Sequence, residues 1–171
     1  MKKLIPLAVL VSAPMLGSAA TLTDSFQVLL NLQSSCTLDS TTDLNFNDQT
    51  DADVIAGGID ADNTVTVTCS DGADFTINLS DGANFGNGPV GTERAMKSGN
   101  SSYVSYELYS DSGRTTAWTS ADNVAFDGTG ANQDIPIYGR IPAQTPTIDA
   151  ADDFNATGLS LSDTVTVTLT Y

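Results

Sequence analysis

The sequence predicts an all-β sandwich, and three observations predict it. Short segments of alternating apolar and polar residues recur along the chain, the period-two signature of strands with one buried face. Clusters of Gly, Asp and Asn separate these segments, as turns do in a sandwich. No window of about 11 residues carries a convincing helical stripe.

Taken in order, residues 1–19 read as a secretory signal. Lys2 and Lys3 form the basic start, residues 4–11 a short apolar stretch, and Gly17-Ser18-Ala19-Ala20 offers signal peptidase a site after Ala19 or Ala20. That apolar run, broken by Pro6 and Pro14, is too short to span a bilayer. No later run is apolar enough to do so, which predicts an exported, soluble chain without direct membrane insertion. Residues 20–35 form a separate arm, and residues 36–171 form one domain.

Within the arm, Phe26, Val28, Leu30 and Leu32 alternate with Gln27, Leu29, Asn31 and Gln33, so a strand with one apolar face is expected. Only Leu29 spoils the polar face. Residues 37–46 read as the first core strand, with Leu38, Leu44 and Phe46 apolar, and residues 47–62 as an acidic loop with a short apolar insert at Val54-Ile55. TVTVTC at 64–69 puts Val65, Val67 and Cys69 on one face. An internal repeat follows, SDGADF at 70–75 and SDGANF at 80–85, whose Asp-Gly pairs suit turns with positive φ and are read as hairpin architecture around the strand 75–79.

Residues 94–96 and 103–109 are further strands. Residues 135–141 (IPIYGRI) read as an edge strand, because Pro136 and Pro142 cannot donate to a ladder. The regular segment 163–171 (DTVTVTLTY) places Val165, Val167, Leu169 and Tyr171 on one face. It reaches the last residue with no following strand to cover it, so the sandwich reads as one strand short.

Composition narrows the chemistry. Without Lys2 and Lys3, the basic residues are Arg94, Lys97, Arg114 and Arg140 against 21 acidic ones, a balance that repels nucleic acid and anionic lipid. Cys36 and Cys69, an even count in an exported chain, predict a disulfide and leave no nucleophilic thiol. The absence of histidine removes the usual general base, zinc ligand and serine–histidine triad. Chance carboxylate pairs without aromatic platforms do not make a glycosidase, so no enzyme and no cofactor are expected. The acidic clusters at Asp48/Asp51/Asp53, Asp60/Asp62/Asn63 and Asp149/Asp152/Asp153 lack calcium-loop spacing and read as solvated loops. Trp118, Tyr103, Tyr106 and Tyr109 read as core and edge aromatics, with a sugar-binding face as the competing reading.

Residues 64–69, Arg94-Ala95-Met96, Tyr106-Glu107-Leu108-Tyr109, Arg114-Thr115 with Trp118, PIYGRIP at 136–142 and the closing 163–171 together resemble the spore coat protein U domain family. That family includes subunits of archaic (Csu-type) chaperone–usher pili. The resemblance covers essentially the whole chain after the signal and rests on order and spacing more than on any one motif. Asn47 departs from it, standing where a glycine is usual, and Leu161 stands where an aromatic is common.

The resemblance implies an incomplete immunoglobulin-like sandwich that lacks its last strand and is completed by donor-strand complementation. A periplasmic chaperone first lends the strand, and at the outer-membrane usher the arm of the next subunit replaces it. Phe26, Val28, Leu30 and Leu32 are the implied donor residues; the implied acceptor groove is flanked by Leu38 and by Val165, Val167, Leu169 and Tyr171. The function so implied is a pilin polymerising with itself or sister pilins into a surface fimbrium of a Gram-negative bacterium, for adhesion and biofilm formation. With one domain and an arm, a shaft or adaptor subunit is expected. A secreted spore or cell-coat protein of the same fold and a secreted carbohydrate-binding module are the alternatives.

Overall fold

The computed structural model describes residue 17 and residues 20–171. The signal expected over residues 1–19 therefore lies, except for Gly17, outside the described residues. The chain divides into two compact units, Met1–Leu32 and Gln33–Tyr171. In the first, residues 20–32 adopt neither helix nor strand, and Phe26, Val28, Leu29, Leu30 and Leu32 are all more than four-fifths exposed. An alternating segment has the pattern of a strand, but becomes one only where a neighbouring backbone receives its hydrogen bonds.

The second unit is a two-sheet sandwich. Its elements are β1 (Cys36–Thr41), α1 (Asp51–Ala56), β2 (Ile59–Cys69), β3 (Asp74–Leu79), β4 (Arg94–Lys97), β5 (Tyr103–Tyr109), β6 (Val124–Asp127), β7 (Asn132–Ile141), α2 (Phe154–Thr157) and β8 (Val167–Thr170). The sheets run β1-β2-β7-β5-β4 and β6-β3-β8, with every pairing antiparallel. Strand alternation builds the core: Val65, Val67 and Cys69 of β2 meet Phe75, Ile77 and Leu79 of β3 and Ile135, Ile137 and Ile141 of β7, all buried.

Several expectations change. The acidic loop expected over 47–62 instead holds a short helix and the first residues of β2. Thr50 caps α1 in a capping box with Asp53, and Val54 turns inward, which explains an apolar residue amid acidic neighbours. Asn47, where the family pattern has glycine, has φ 57°, a conformation asparagine tolerates better than most side chains. The first Asp-Gly turn leads across the sandwich and not into a hairpin, since β2 and β3 belong to different sheets. β6 has no counterpart in the sequence reading; its four residues are too few to show a period.

β7 is central and not an edge strand, lying between β2 and β5. It pairs with β2 along its whole length but with β5 only from Tyr138 to Arg140. Pro136 falls in the half with a single partner, so its missing donor is accommodated there.

Arg94 ties the sheets together. Its buried guanidinium donates to the Ser80 carbonyl (2.8 Å), the Trp118 carbonyl (2.9 Å) and the Leu79 carbonyl (3.2 Å), joining β4 to the end of β3. This buried cation is supported by carbonyl dipoles, and the carboxylates of Asp81 and Asp163 also favour its charge. The second tie is covalent: Cys36 and Cys69 form the expected disulfide, at the directly paired start of β1 and end of β2. The bond spans a sequence separation of 33 residues. Replacing both cysteines by alanine is expected to lower the unfolding free energy by about 3–4 kcal/mol on loop-closure grounds, read by urea denaturation against the oxidised parent.

Candidate functional site

Among the described residues the two sheets end in β1, β4, β6 and β8, and β1 and β8 are the edges that carry or adjoin the expected groove residues. Among the described residues, β1 has β2 as its only sheet partner, and β8 has only β3, so each carries one side unpaired by them. Directly opposed residues on antiparallel strands share a face, which allows burial to be compared along a row. Leu38 lies opposite Val67; Val67 is 0% exposed, whereas Leu38 is 43% exposed. Val167 lies opposite Leu79 and Leu169 opposite Ile77. Leu79 and Ile77 are fully buried, yet Val165, Val167 and Leu169 are only half-buried. The core is thus complete one strand inward from each edge and incomplete at the edge itself. Tyr171 extends beyond β8 and is 63% exposed.

An open cleft of ≈870 Å³ lies where the inner faces diverge. Leu44 and Phe46, following β1, line it together with Val54 of α1, Met96 of β4 and Leu161 before β8. Leu161 is the position where the family pattern has an aromatic. The five groove residues expected from the sequence do not line this cleft; they belong to the two edges. Leu44 and Phe46 were legible as apolar positions of an alternating segment, and Val54 could have been found from the Thr50–Asp53 capping spacing. Met96 and Leu161 carry no comparable signal, because only the sheet order brings them there.

The internal repeat performs the same local task twice. The Ser70 amide donates to the Ser35 carbonyl (2.9 Å), and the Ser70 hydroxyl oxygen accepts from the Ser35 amide (3.0 Å). Ten residues on, the Ser80 amide donates to the Thr166 carbonyl (2.9 Å), and its hydroxyl oxygen accepts from the Thr166 amide (2.8 Å). Each serine thus satisfies both backbone groups of one residue, as a ladder position would. Ser35 immediately precedes β1, and Thr166 immediately precedes β8, so both exposed edges are pinned at their first residues.

The second repeat also holds Asp163. Its carboxylate accepts from the Ala83 amide (2.9 Å), the Asn84 side-chain amide (3.0 Å) and the Tyr106 hydroxyl (2.8 Å). Gly82, at φ 80°, is obligatory on two grounds: a Cβ there would meet the Asp163 carboxylate at 2.1 Å.

The other expected chemistry is placed as follows. Of the four aromatics of the competing sugar-binding reading, Trp118, Tyr106 and Tyr109 are buried and Tyr103 is half-buried, so the four do not make an exposed face. Among the described residues, no group of three or more acidic, cysteine or histidine side chains comes together as a metal site. Asp53 caps α1, and Asp152 accepts from Ser98 (2.5 Å), Ser102 (2.5 Å) and Asn100 (2.7 Å). No helix among the described residues is long and apolar enough to cross a membrane.

Replacing Ser80 by alanine removes one hydrogen bond of its two-point clamp. The expected loss is about 0.5–1.5 kcal/mol of stability, with faster amide exchange at Thr166 and unchanged exchange at the buried positions of β2.

Comparison with known proteins gives two findings. The family model described as Spore Coat Protein U domain matches residues 22–168, which includes the arm as well as the sandwich. Among solved structures, the chain matches one in the CsuC–CsuE chaperone–tip adhesion subunit pre-assembly complex from archaic chaperone-usher Csu pili of Acinetobacter baumannii. The match has a TM-score of 0.53 at 17% identity and covers 81% of this chain. This chain spans 40% of the length of the one it matches. At such identity the likeness is one of fold, and the fold is immunoglobulin-like. No curated protein matches.

Proposed function

The chain belongs to the spore coat protein U domain family, and from that premise we propose that it is a chaperone–usher pilus subunit which polymerises head-to-tail by donor-strand exchange. The observation that carries this reading is a paired deficiency within one chain. Phe26, Val28, Leu30 and Leu32 form an alternating apolar row that is exposed, while Leu38, Val165, Val167 and Leu169 are apolar residues on inward rows that remain uncovered at two sheet edges. An added strand supplies what both lack: backbone partners for the edge and apolar cover for the row.

The arm of one copy is the donor, and the β1 and β8 edges of the next copy are the acceptor. Donor and acceptor are different surfaces, so the contact is heterologous and does not close, which yields a fibre. Leu29, off the apolar row, then faces outward from the inserted strand against the acceptor's surface. Before assembly a periplasmic chaperone covers the same edges, as the description of the matched complex, a chaperone bound to a pilus subunit before assembly, supports by analogy. An outer-membrane usher exchanges the chaperone for the next arm, and the product is a surface fimbrium serving adhesion and biofilm formation. This is a structural role and not an enzymatic one. A coat protein built by the same exchange differs only in where the polymer is deposited.

Replacing Leu30 by aspartate puts a charge where an apolar side chain worth roughly 1.5–3 kcal/mol should be buried. Electron microscopy of cells expressing the chain with its chaperone and usher is expected to show filaments for the parent and none for Leu30→Asp. Deleting residues 21–33 should likewise abolish filaments while leaving the subunit soluble with its chaperone. Filaments of normal length from the deletion variant would overturn the proposal.

A further inference from the structure

A pocket of ≈60 Å³ lies away from both sheet edges, between the segment 80–93 and β5. Asp81, Glu93, Glu107, Arg94 and Trp118 are among the residues that line it. Two polar atoms here are buried without a hydrogen-bond partner, Glu93 Oε2 and the indole Nε1 of Trp118. A carboxylate oxygen removed from water and given no donor requires a nearby cation or a proton.

Among the described residues that line the pocket, no cation is free to serve. The 80–93 segment presents Asp81, β5 presents Glu107 and the Tyr106 phenol, and residues 117–119 present no charge. Arg94 of β4 is committed to the carbonyls of Leu79, Ser80 and Trp118. Arg140 of β7 stands opposite Glu107 but is bonded to Asp60 through Nε (2.7 Å) and Nη2 (2.9 Å). Glu107 already receives the Tyr109 hydroxyl. With no free cation at the pocket, the half-buried Glu93 is best accommodated there as the neutral acid.

We propose that Glu93 holds a proton in the folded chain and that its loss is a pH-sensitive switch, loosening the 80–93 segment and with it the start of β8. The mechanical link is short. The Glu93 carbonyl accepts from the Gly86 amide (3.0 Å), and the Glu93 amide donates to Val90 (3.2 Å). The same segment grips Asp163 through Ala83 and Asn84 and holds Thr166 through Ser80. A second negative charge beside Glu107 therefore strains the segment that pins this edge. The switch belongs to the folded body and holds whether or not strands are exchanged.

Burial, and after it the charge of Glu107, pushes the Glu93 carboxyl from 4.5 up to about 7. Between those values the folded chain keeps a proton that the unfolded chain has released, so stability falls as pH rises through the window and levels off above it. Asp111, held low by the Thr116 amide, and Asp152, held low by the Ser102 hydroxyl, act oppositely and withdraw stability in acid. The two limbs are therefore separable.

The test is a carbon-detected NMR titration of side-chain carboxyls in the full chain, with urea unfolding of the parent, Glu93→Gln and Glu107→Gln across the same range. Glu93 is expected to titrate near neutrality in the parent, and at lower pH in Glu107→Gln. The unfolding constant of the parent should rise between about pH 5 and about pH 8, by at most about 70-fold on full linkage, and stay level in Glu93→Gln. Amides of residues 82–93 and 163–166 should exchange faster above the transition, after correction for intrinsic rates. Titration of Glu93 together with the ordinary carboxyls, or the same neutral-range loss in Glu93→Gln, would overturn the proposal. If Glu93→Gln does not fold, the parent titration and Glu107→Gln decide it.

Discussion

Everything in this chain turns on the cover that an edge strand needs. A strand inside a sheet has both rows of backbone groups paired and its apolar face closed over by neighbours. A strand at the edge has neither on its open side. Natural sandwiches usually make such edges short, charged or bulged. Here β8 follows an unbroken Thr-Val-Thr-Val-Thr-Leu-Thr alternation with no charge between Asp163 and the last residue. β1 does carry a register shift between Leu38 and Ser40, yet leaves Leu38 opposite a fully buried valine. β8 is short and β1 is bulged and carries Asp39, but the β8 run itself carries no charge that would oppose pairing.

An open edge must also be kept in place. The serine clamps answer that need, and they give the internal repeat a physical meaning. A serine presents a backbone donor and a side-chain acceptor close together, so it imitates one ladder position without a strand being there. Ser70 and Ser80 do this for Ser35 and Thr166, the residues from which β1 and β8 start. The disulfide reinforces the first of these points one residue later, and Asp163 reinforces the second three residues earlier. Each edge is thereby fixed at its start.

The strands with clean alternation were legible in the sequence: β2, β3, β5 and the closing threonine–valine run each show a period of two over several residues. What was not legible depended on order in space. The 135–141 segment looks like an edge because it contains proline, and only the short reach of β5 along β7 shows how a central strand tolerates Pro136. The repeat looked like two hairpin turns because Asp-Gly is a turn signal wherever it occurs; that the turns cross between sheets is set by which strands pair. The residues of the two sheet edges were legible, and most of the cleft's lining was not. Leu38 and Val165 belong to alternating runs, whereas Met96 and Leu161 come together only through folding.

Charge bears on how such a subunit can join another. The folded body is strongly acidic, so two copies repel at long range, with the repulsion screened beyond about 10 Å at moderate salt. Attraction at the joint must then come from a part of the chain that carries little of that charge. Residues 21–35 contain one charged side chain, Asp24, and it lies before the apolar row. In the proposed joint, an arm with so little charge would let apolar burial act at the edge despite the repulsion between bodies. The same separation explains why the titratable groups of the body, Glu93 among them, can alter the firmness of β8 without adding charge to the contact itself. Control and contact are thereby carried by different residues of one strand's surroundings.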